Sequence, residues 1–97
     1  MIIERRTNRC MHGREQAAVE LTQEAFKVLG YPNMKRICRP ISGPSNDMCT
    51  EFEFKDWEER EAFWAAFFAL PQIPEWVDDW STMVESGANI EFWWLVE

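Results

Sequence analysis

Two groups of residues in this chain could do chemistry. The first is a set of carboxylates near an arginine: Glu4, Arg6, Glu51 and Glu53. A carboxyl that burial lifts toward neutrality can serve as a general acid or base. Glu51 and Glu53 are two apart, so on a strand they share one face and their titrations couple. The structural alternative is cross-strand ion pairing of Arg6 with Glu51 or Glu53. The second group is Trp64, Trp76, Trp80 and Trp93. Trp76 and Trp80 are four apart and share a helix face, where a flat aromatic ligand would stack. The alternative here is packing in a core or a subunit interface. Cys10 and His12 are also two apart, but a Cys–His nucleophile needs a third, orienting group and a cleft. Neither is visible, Gly13 ends the segment, and buried free thiols are the simpler reading. Gly-rich phosphate loops, a nucleophile elbow and a dinucleotide fingerprint are missing from the sequence.

The elements that must position these groups follow from periodicity. Residues 2–11 hold Ile, Thr and Cys among charges without Gly or Pro, and read as a strand that His12-Gly13 breaks. Residues 15–29 are helical, with Ala18, Leu21, Ala25 and Val28 on one apolar face. Glu20, Gln23, Glu24 and Lys27 look to water. Gly30 suits a left-handed cap, and Pro32 prevents resumption. Residues 34–41 form a second strand. The turn cluster Gly43-Pro44-Ser45-Asn46-Asp47 then leads to a third, residues 48–55, which alternates cleanly. Asp56 can cap a helix running to about residue 69, with Glu59 reaching back. Pro71 and Pro74 interrupt it, and Pro74 suits the first turn of a new helix. That helix carries Trp76, Val77, Trp80, Met83 and Val84 as its apolar stripe and ends at Gly87. Residues 90–96 are the last strand. The order β-α-β-β-α-β, with the second helix split, is the ferredoxin-like pattern of an α+β fold. It implies a four-stranded antiparallel sheet of order 4-1-3-2 with the helices on one face.

Composition limits the partners. A chain of 97 residues makes one domain, residues 1–97. Its net charge of −7 repels phosphate backbones and anionic membranes, which argues against nucleic-acid and membrane binding. The longest apolar run, residues 62–71, is half the ~20 residues a bilayer span needs. The start Met1-Ile2-Ile3-Glu4-Arg5-Arg6 lacks the order of a signal peptide, so the expected address is the cytoplasm. Cys10, Cys38 and Cys49 make no Cys-x-x-Cys pair and are expected as reduced thiols. With His12 as its single histidine, the chain gives little basis for a structural zinc site. Six Trp and seven Phe exceed what one small core readily buries, which points to a second copy of the chain.

Strand parity assigns the faces. Phe52, Phe54, Phe92 and Trp94 should meet the helices. The open face then takes Cys49, Glu51, Glu53, Glu91, Trp93 and Leu95. On the first strand Ile3 and Thr7 are the more core-like, which leaves Glu4, Arg6, Asn8 and Cys10 for the open face. Such a mixture suits a partly wet cavity enclosed by two sheets.

The chain resembles the dimeric α+β barrel superfamily, in its NIPSNAP-like and antibiotic-biosynthesis-monooxygenase-like branches. The resemblance rests on Glu4-Arg5-Arg6-Thr7-Asn8, His12-Gly13-Arg14 and Glu51-Phe52-Glu53-Phe54. It continues through Glu58-Glu59-Arg60-Glu61-Ala62-Phe63-Trp64, Pro74-Glu75-Trp76 and Gly87-Ala88-Asn89-Ile90-Glu91-Phe92-Trp93, and so covers nearly the whole chain. It implies a homodimer packed sheet against sheet, with a pocket between each sheet and its helices or along the barrel interior. Cofactor-free monooxygenases of this superfamily place an asparagine at a first-strand position similar to Asn8, where it can hydrogen-bond a substrate or oxygen. The heme-degrading relatives also use a histidine in the second helix region. This chain has Asp78, Asp79 and Trp80 there, which argues against heme degradation.

The leading expectation is a homodimer that binds a small aromatic or apolar molecule without a cofactor or metal. Its activity would be cofactor-independent oxygenation, with Asn8 as the catalytic candidate. Arg6, Glu51, Glu53, Trp64, Trp80 and Trp93 are the ligand-binding candidates. The alternative is a non-enzymatic NIPSNAP-like binding or scaffold module.

Overall fold

In a computed structural model, which describes residues 1–30, 32–43 and 46–96, the strands β1 (Ile2–Arg9), β2 (Met34–Cys38), β3 (Asp47–Phe54) and β4 (Asn89–Trp94) form one sheet. Its order is β2-β3-β1-β4, and every pairing is antiparallel. The helices are α1 (Glu15–Leu29), α2 (Trp57–Phe68) and α3 (Ile73–Ser81). This is an α+β ferredoxin-like fold whose second helix is split into α2 and α3. Among the described residues, no helix is long and apolar enough to cross a membrane.

The register decides which side chains share a face. Ile2, Glu4, Arg6 and Asn8 on β1 stand opposite Phe54, Phe52, Thr50 and Met48 on β3. Phe52 and Phe54 pack with Phe63 of α2, and Met48 packs with Cys10, Ala18 of α1 and Val84. Glu4, Arg6, Asn8 and Cys10 therefore face the helices, and Ile3, Arg5 and Thr7 face away. This reverses the expected parity of the first strand. Hydrophobicity misled here, because of two equally apolar residues it is Ile2 and not Ile3 that belongs to the core, and the charged Glu4 is fully buried. The open-face set on β3 and β4 is as expected: Cys49, Glu51 and Glu53 pair with Thr7, Arg5 and Ile3, and Glu91 and Trp93 flank Arg5 and Ile3.

Local chemistry sets the helix limits. In α1, Ala18 and Ala25 are buried while Val28 is exposed, so the apolar stripe stops before the last turn. Gly30 takes φ 60° and donates its N–H to the Phe26 carbonyl, a conformation that a side chain would strain. Asp56 caps α2 by accepting from the Glu59 N–H at 2.9 Å. The Glu59 carboxylate reaches back to the N–H of Lys55, one residue before the cap, and also accepts from Asn33 at 3.2 Å. Pro74 occupies the first turn of α3.

Helix α3 ends at Ser81, not at Gly87. The hydroxyls of Ser81 and Thr82 donate to the carbonyls of Asp78 and Asp79, and so compete with the helical ladder. The chain that follows then pairs with the end of β1. Val84 bridges Cys10, and Glu85 donates its N–H to the Arg9 carbonyl at 2.8 Å. Met83 and Val84 thus lie beyond the helix that their spacing suggested. The strands are also shorter than expected: β1 stops at Arg9, β2 at Cys38 and β4 at Trp94. Pro44 and Ser45 of the expected turn lie outside the described residues.

Phe92 and Trp94 are on the helix side but do not enter the core. Strand β4 is an edge of the sheet, and both rings are exposed. Phe92 meets the Trp57 ring, edge-on at 5.0 Å, and the Arg60 guanidinium at 5.0 Å.

The Asp56 cap gives a direct test. Asp56→Ala removes one acceptor from the first turn of α2 and is expected to cost about 1 kcal/mol. A urea melt should show a lower midpoint with an unchanged slope.

Candidate functional site

A cavity of about 270 Å³ lies between the sheet and the helices. Its floor is Arg6, Asn8, Thr50 and Phe52 of the sheet. Leu21, Thr22 and Ala25 of α1 form one wall, and Trp64, Phe67 and Phe68 of α2 another. Helix α3 supplies Ile73, Trp76, Val77 and Trp80. The i,i+4 spacing of Trp76 and Trp80 brings both indoles to the cavity side of α3. The ring of Phe67 lies between those of Trp64 and Trp76, with centroids at 5.4 and 6.4 Å, so the two helices share a continuous aromatic wall.

The polar end of the cavity is organised by Glu4, which is wholly inaccessible to solvent. Its Oε1 accepts from Arg60 Nε of α2 at 2.6 Å and from Trp64 Nε1 at 3.2 Å. Its Oε2 accepts from Arg6 Nε at 2.6 Å. The Arg6 guanidinium also lies over the Trp64 ring, 4.2 Å from its centroid. Arg6 is therefore fixed at two points, while its terminal nitrogens hydrogen-bond to none of the described residues. The Asn8 amide likewise hydrogen-bonds to none of the described residues. Two hydrogen-bonding side chains thus border an apolar cavity with capacity left for a guest.

The sheet divides the residues expected to act together. Arg6, Asn8, Trp64 and Trp80 share the cavity. Glu51, Glu53 and Trp93 lie on the opposite face. There Glu51 accepts from Arg5 Nε at 2.7 Å and Arg36 Nη1 at 2.6 Å, and Lys35 stands 3.8 Å from Glu53. The expected cross-strand ion pair exists, but its arginine is Arg5 and not Arg6, because the first-strand parity is reversed. Arg5 also lies over the Trp93 ring at 5.6 Å. Burial pushes the Glu51 carboxyl up, yet hydrogen bonds from Arg5 and Arg36 outweigh it and leave the pKa below the ordinary carboxylate range.

Cys10 and His12 do not form a nucleophilic pair. Cys10 is packed among Ala18, Met48 and Val84, and burial pushes its thiol above the usual range, the reverse of what a nucleophile needs. His12 is exposed in a turn. Among the described residues, no three His, Cys, Asp or Glu side chains are grouped to share a metal ion.

Sequence reasoning missed Arg60 as the partner of Glu4. Its signal was available, because Arg60 and Trp64 are four apart and must share the face that covers β1. Thr22, Thr50 and Phe67 carried no such signal, since their meeting depends on how the elements pack.

No protein-family model matches the sequence, and no curated protein matches it. Solved structures do match. A NIPSNAP domain protein from Burkholderia xenovorans superposes with a TM-score of 0.85 at 18% identity, over 99% of this chain and 95% of that one. A NIPSNAP family protein from Agrobacterium tumefaciens gives 0.84 at 14% identity, over 99% and 93%. A putative antibiotic biosynthesis monooxygenase from Nitrosomonas europaea gives 0.73 at 13% identity, over the full length of both. The chain therefore has the fold that the sequence motifs suggested.

Two outcomes follow for the ion clusters. Glu4→Ala leaves two guanidinium groups without their buried counterion and should cost about 3–5 kcal/mol in a denaturant melt. The lowered pKa of Glu51 means that the folded state is favoured while this group is ionised. That contribution is present above the unfolded-state pKa and is lost as pH falls through the folded value. Glu51→Gln should thus lower Tm at pH 7 and flatten its decline below about pH 4, measured by thermal melts across an acid series.

Proposed function

We propose that this chain is a homodimeric binding protein for a small, flat, aromatic or apolar molecule. The observation that carries this reading is the cavity itself. Aromatic walls surround a floor on which Arg6 and Asn8 retain uncommitted hydrogen-bonding atoms. Its volume of about 270 Å³ is near the lower end of small-molecule pockets, ~300 Å³. A compact ring system would stack against Trp64, Trp76 or Trp80 and present its polar substituent to Arg6 and Asn8.

The chemistry that suits this arrangement is cofactor-independent oxygenation of an electron-rich ring. In such a reaction the substrate delivers its own electrons to oxygen. The protein's task is then to exclude water, fix the ring and offer hydrogen bonds to developing charge. Asn8 and Arg6 are placed for that last role. Glu51, Glu53 and Trp93 are outside this cavity and take no part in the proposal as ligand-binding groups.

The second copy would cover the open face of the sheet. Trp93 is half-exposed there beside the Arg5–Glu51–Arg36 cluster, opposite Ile3 of β1. Burying such a surface is the ordinary driving force of self-association.

A non-enzymatic binding module is the second reading. Its support is the superposition on one NIPSNAP domain protein from Burkholderia xenovorans, at 0.85, against 0.73 on the monooxygenase-like protein.

Three measurements test these readings. Titration with quinol-type aromatics should quench the tryptophan fluorescence of the native protein, and Asn8→Ala should weaken binding roughly tenfold, as loss of about 1.4 kcal/mol of hydrogen bonding implies. An absence of quenching by any flat aromatic would refute the pocket assignment. Oxygen uptake with the same quinols separates enzyme from module: turnover that Asn8→Ala leaves unchanged would remove Asn8 from catalysis. Sedimentation at micromolar concentration should give twice the chain mass, and a stable species of 11.6 kDa would contradict the dimer.

A further inference from the structure

We propose that Cys38 and Cys49 form a dithiol modification site, one that closes reversibly to a cross-strand disulfide by exchange with a small-molecule disulfide. Cys38 on β2 and Cys49 on β3 are direct Cα partners in the antiparallel ladder. Residues so paired project to the same face of the sheet. Their Cα atoms are separated by about 4.5 or about 5.5 Å, according to the type of pair. Both separations fall within the ~4.4–6.8 Å that disulfides span. The two thiols are free, with Cys38 exposed and Cys49 half-buried. They form one row of the open face with Thr7, next to the row that holds Arg36, Glu51 and Arg5. The third thiol, Cys10, is buried on the other face and belongs to a separate cluster.

The geometry assigns distinct roles to the pair. Strand β2 is the edge of the sheet, so Cys38 is reached from its rim. Burial holds the Cys49 thiol above its usual range, against an opposing hydrogen bond with Thr7. Cys38 is thus the entering group and Cys49 the resolving one. The Cys38 sulfur attacks one sulfur of the small disulfide, giving a mixed disulfide and releasing one thiol. The Cys49 sulfur then attacks the Cys38 sulfur and releases the second thiol. One S–S bond breaks in the small molecule and one forms in the protein. Two electrons pass to the small molecule, and the two thiol protons leave with its released halves. The product ties the edge strand covalently to β3 beside the Arg36–Glu51 ion pair.

The experiment is equilibration of the native protein with oxidised glutathione, followed by alkylation, tryptic digestion and mass spectrometry. Trypsin does not cut between Arg39 and Pro40, so both cysteines fall in the single peptide 37–55. The expected result is loss of two hydrogens from that peptide, reversed by dithiothreitol, with Cys10 still alkylated after unfolding. Cys49→Ser should instead accumulate a glutathione adduct on Cys38. The proposal is overturned if the native peptide carries only glutathione adducts, if it remains fully reduced across the glutathione range, or if the bridge formed joins two chains on a non-reducing gel. The pocket plays no part in this readout, so its outcome is independent of the ligand-binding proposal; the exchange requires only that a second copy on the open face leave the β2 edge, and with it Cys38, accessible.

Discussion

A carboxylate buried where a hydrophobe would ordinarily sit holds this structure together. Glu4 lies on β1, with Phe52 and Phe92 opposite it on the neighbouring strands, and has no solvent access. Removing an ion from water costs several kcal/mol even after relaxation. Here two guanidinium groups and an indole N–H surround it, at 2.6, 2.6 and 3.2 Å. The same three donors belong to β1 and α2. The interaction that compensates the buried charge therefore also fixes the helix on the sheet. It fixes Arg6 as well, pressed between Glu4 and the face of Trp64, at the cavity edge. Stability and the geometry of the candidate site depend on one group.

The sheet keeps two ionic systems apart. Arg5 and Arg6 are consecutive, and a strand sends consecutive side chains to opposite faces. Arg6 joins Glu4 and Arg60 beneath the helices. Arg5 joins Glu51 and Arg36 on the open side. The aromatic residues are divided in the same way. Phe52, Phe54 and Phe63 form a closed cluster of edge-to-face and stacked rings. Trp64, Trp76 and Trp80 border the cavity, and Trp57, Trp93 and Trp94 remain exposed. The excess of rings over one core is thus split between a cavity and an outer surface.

The cavity exists because the second helix is broken. The turn around Pro71 lets α2 and α3 supply separate walls, where a continuous helix would offer one. The early end of α3 matters equally. Once Ser81 and Thr82 have capped the carbonyls of Asp78 and Asp79, the chain is free to pair with β1 through Val84 and Glu85. That pairing anchors the end of α3 and holds Trp80 over the floor.

By itself, the sequence determined the order of elements, the Asp56 cap, the Gly30 stop and the α2–α3 break. All of these are local: they follow from side-chain period, backbone φ limits and hydrogen bonds across a few residues. It also marked Asn8, Arg6, Trp64 and Trp80 as candidates that prove to share one cavity. It misassigned the first strand, because Ile2 and Ile3 are equally apolar and a buried glutamate is invisible to hydrophobic patterning. Only the tertiary structure decided that parity, since it takes Arg60 and Trp64 from α2 to make Glu4 a residue of the interior. The same holds for Cys38 and Cys49, whose spacing carries no motif. Their pairing is a property of strand register, which is fixed by the packing of the whole sheet and not by either segment.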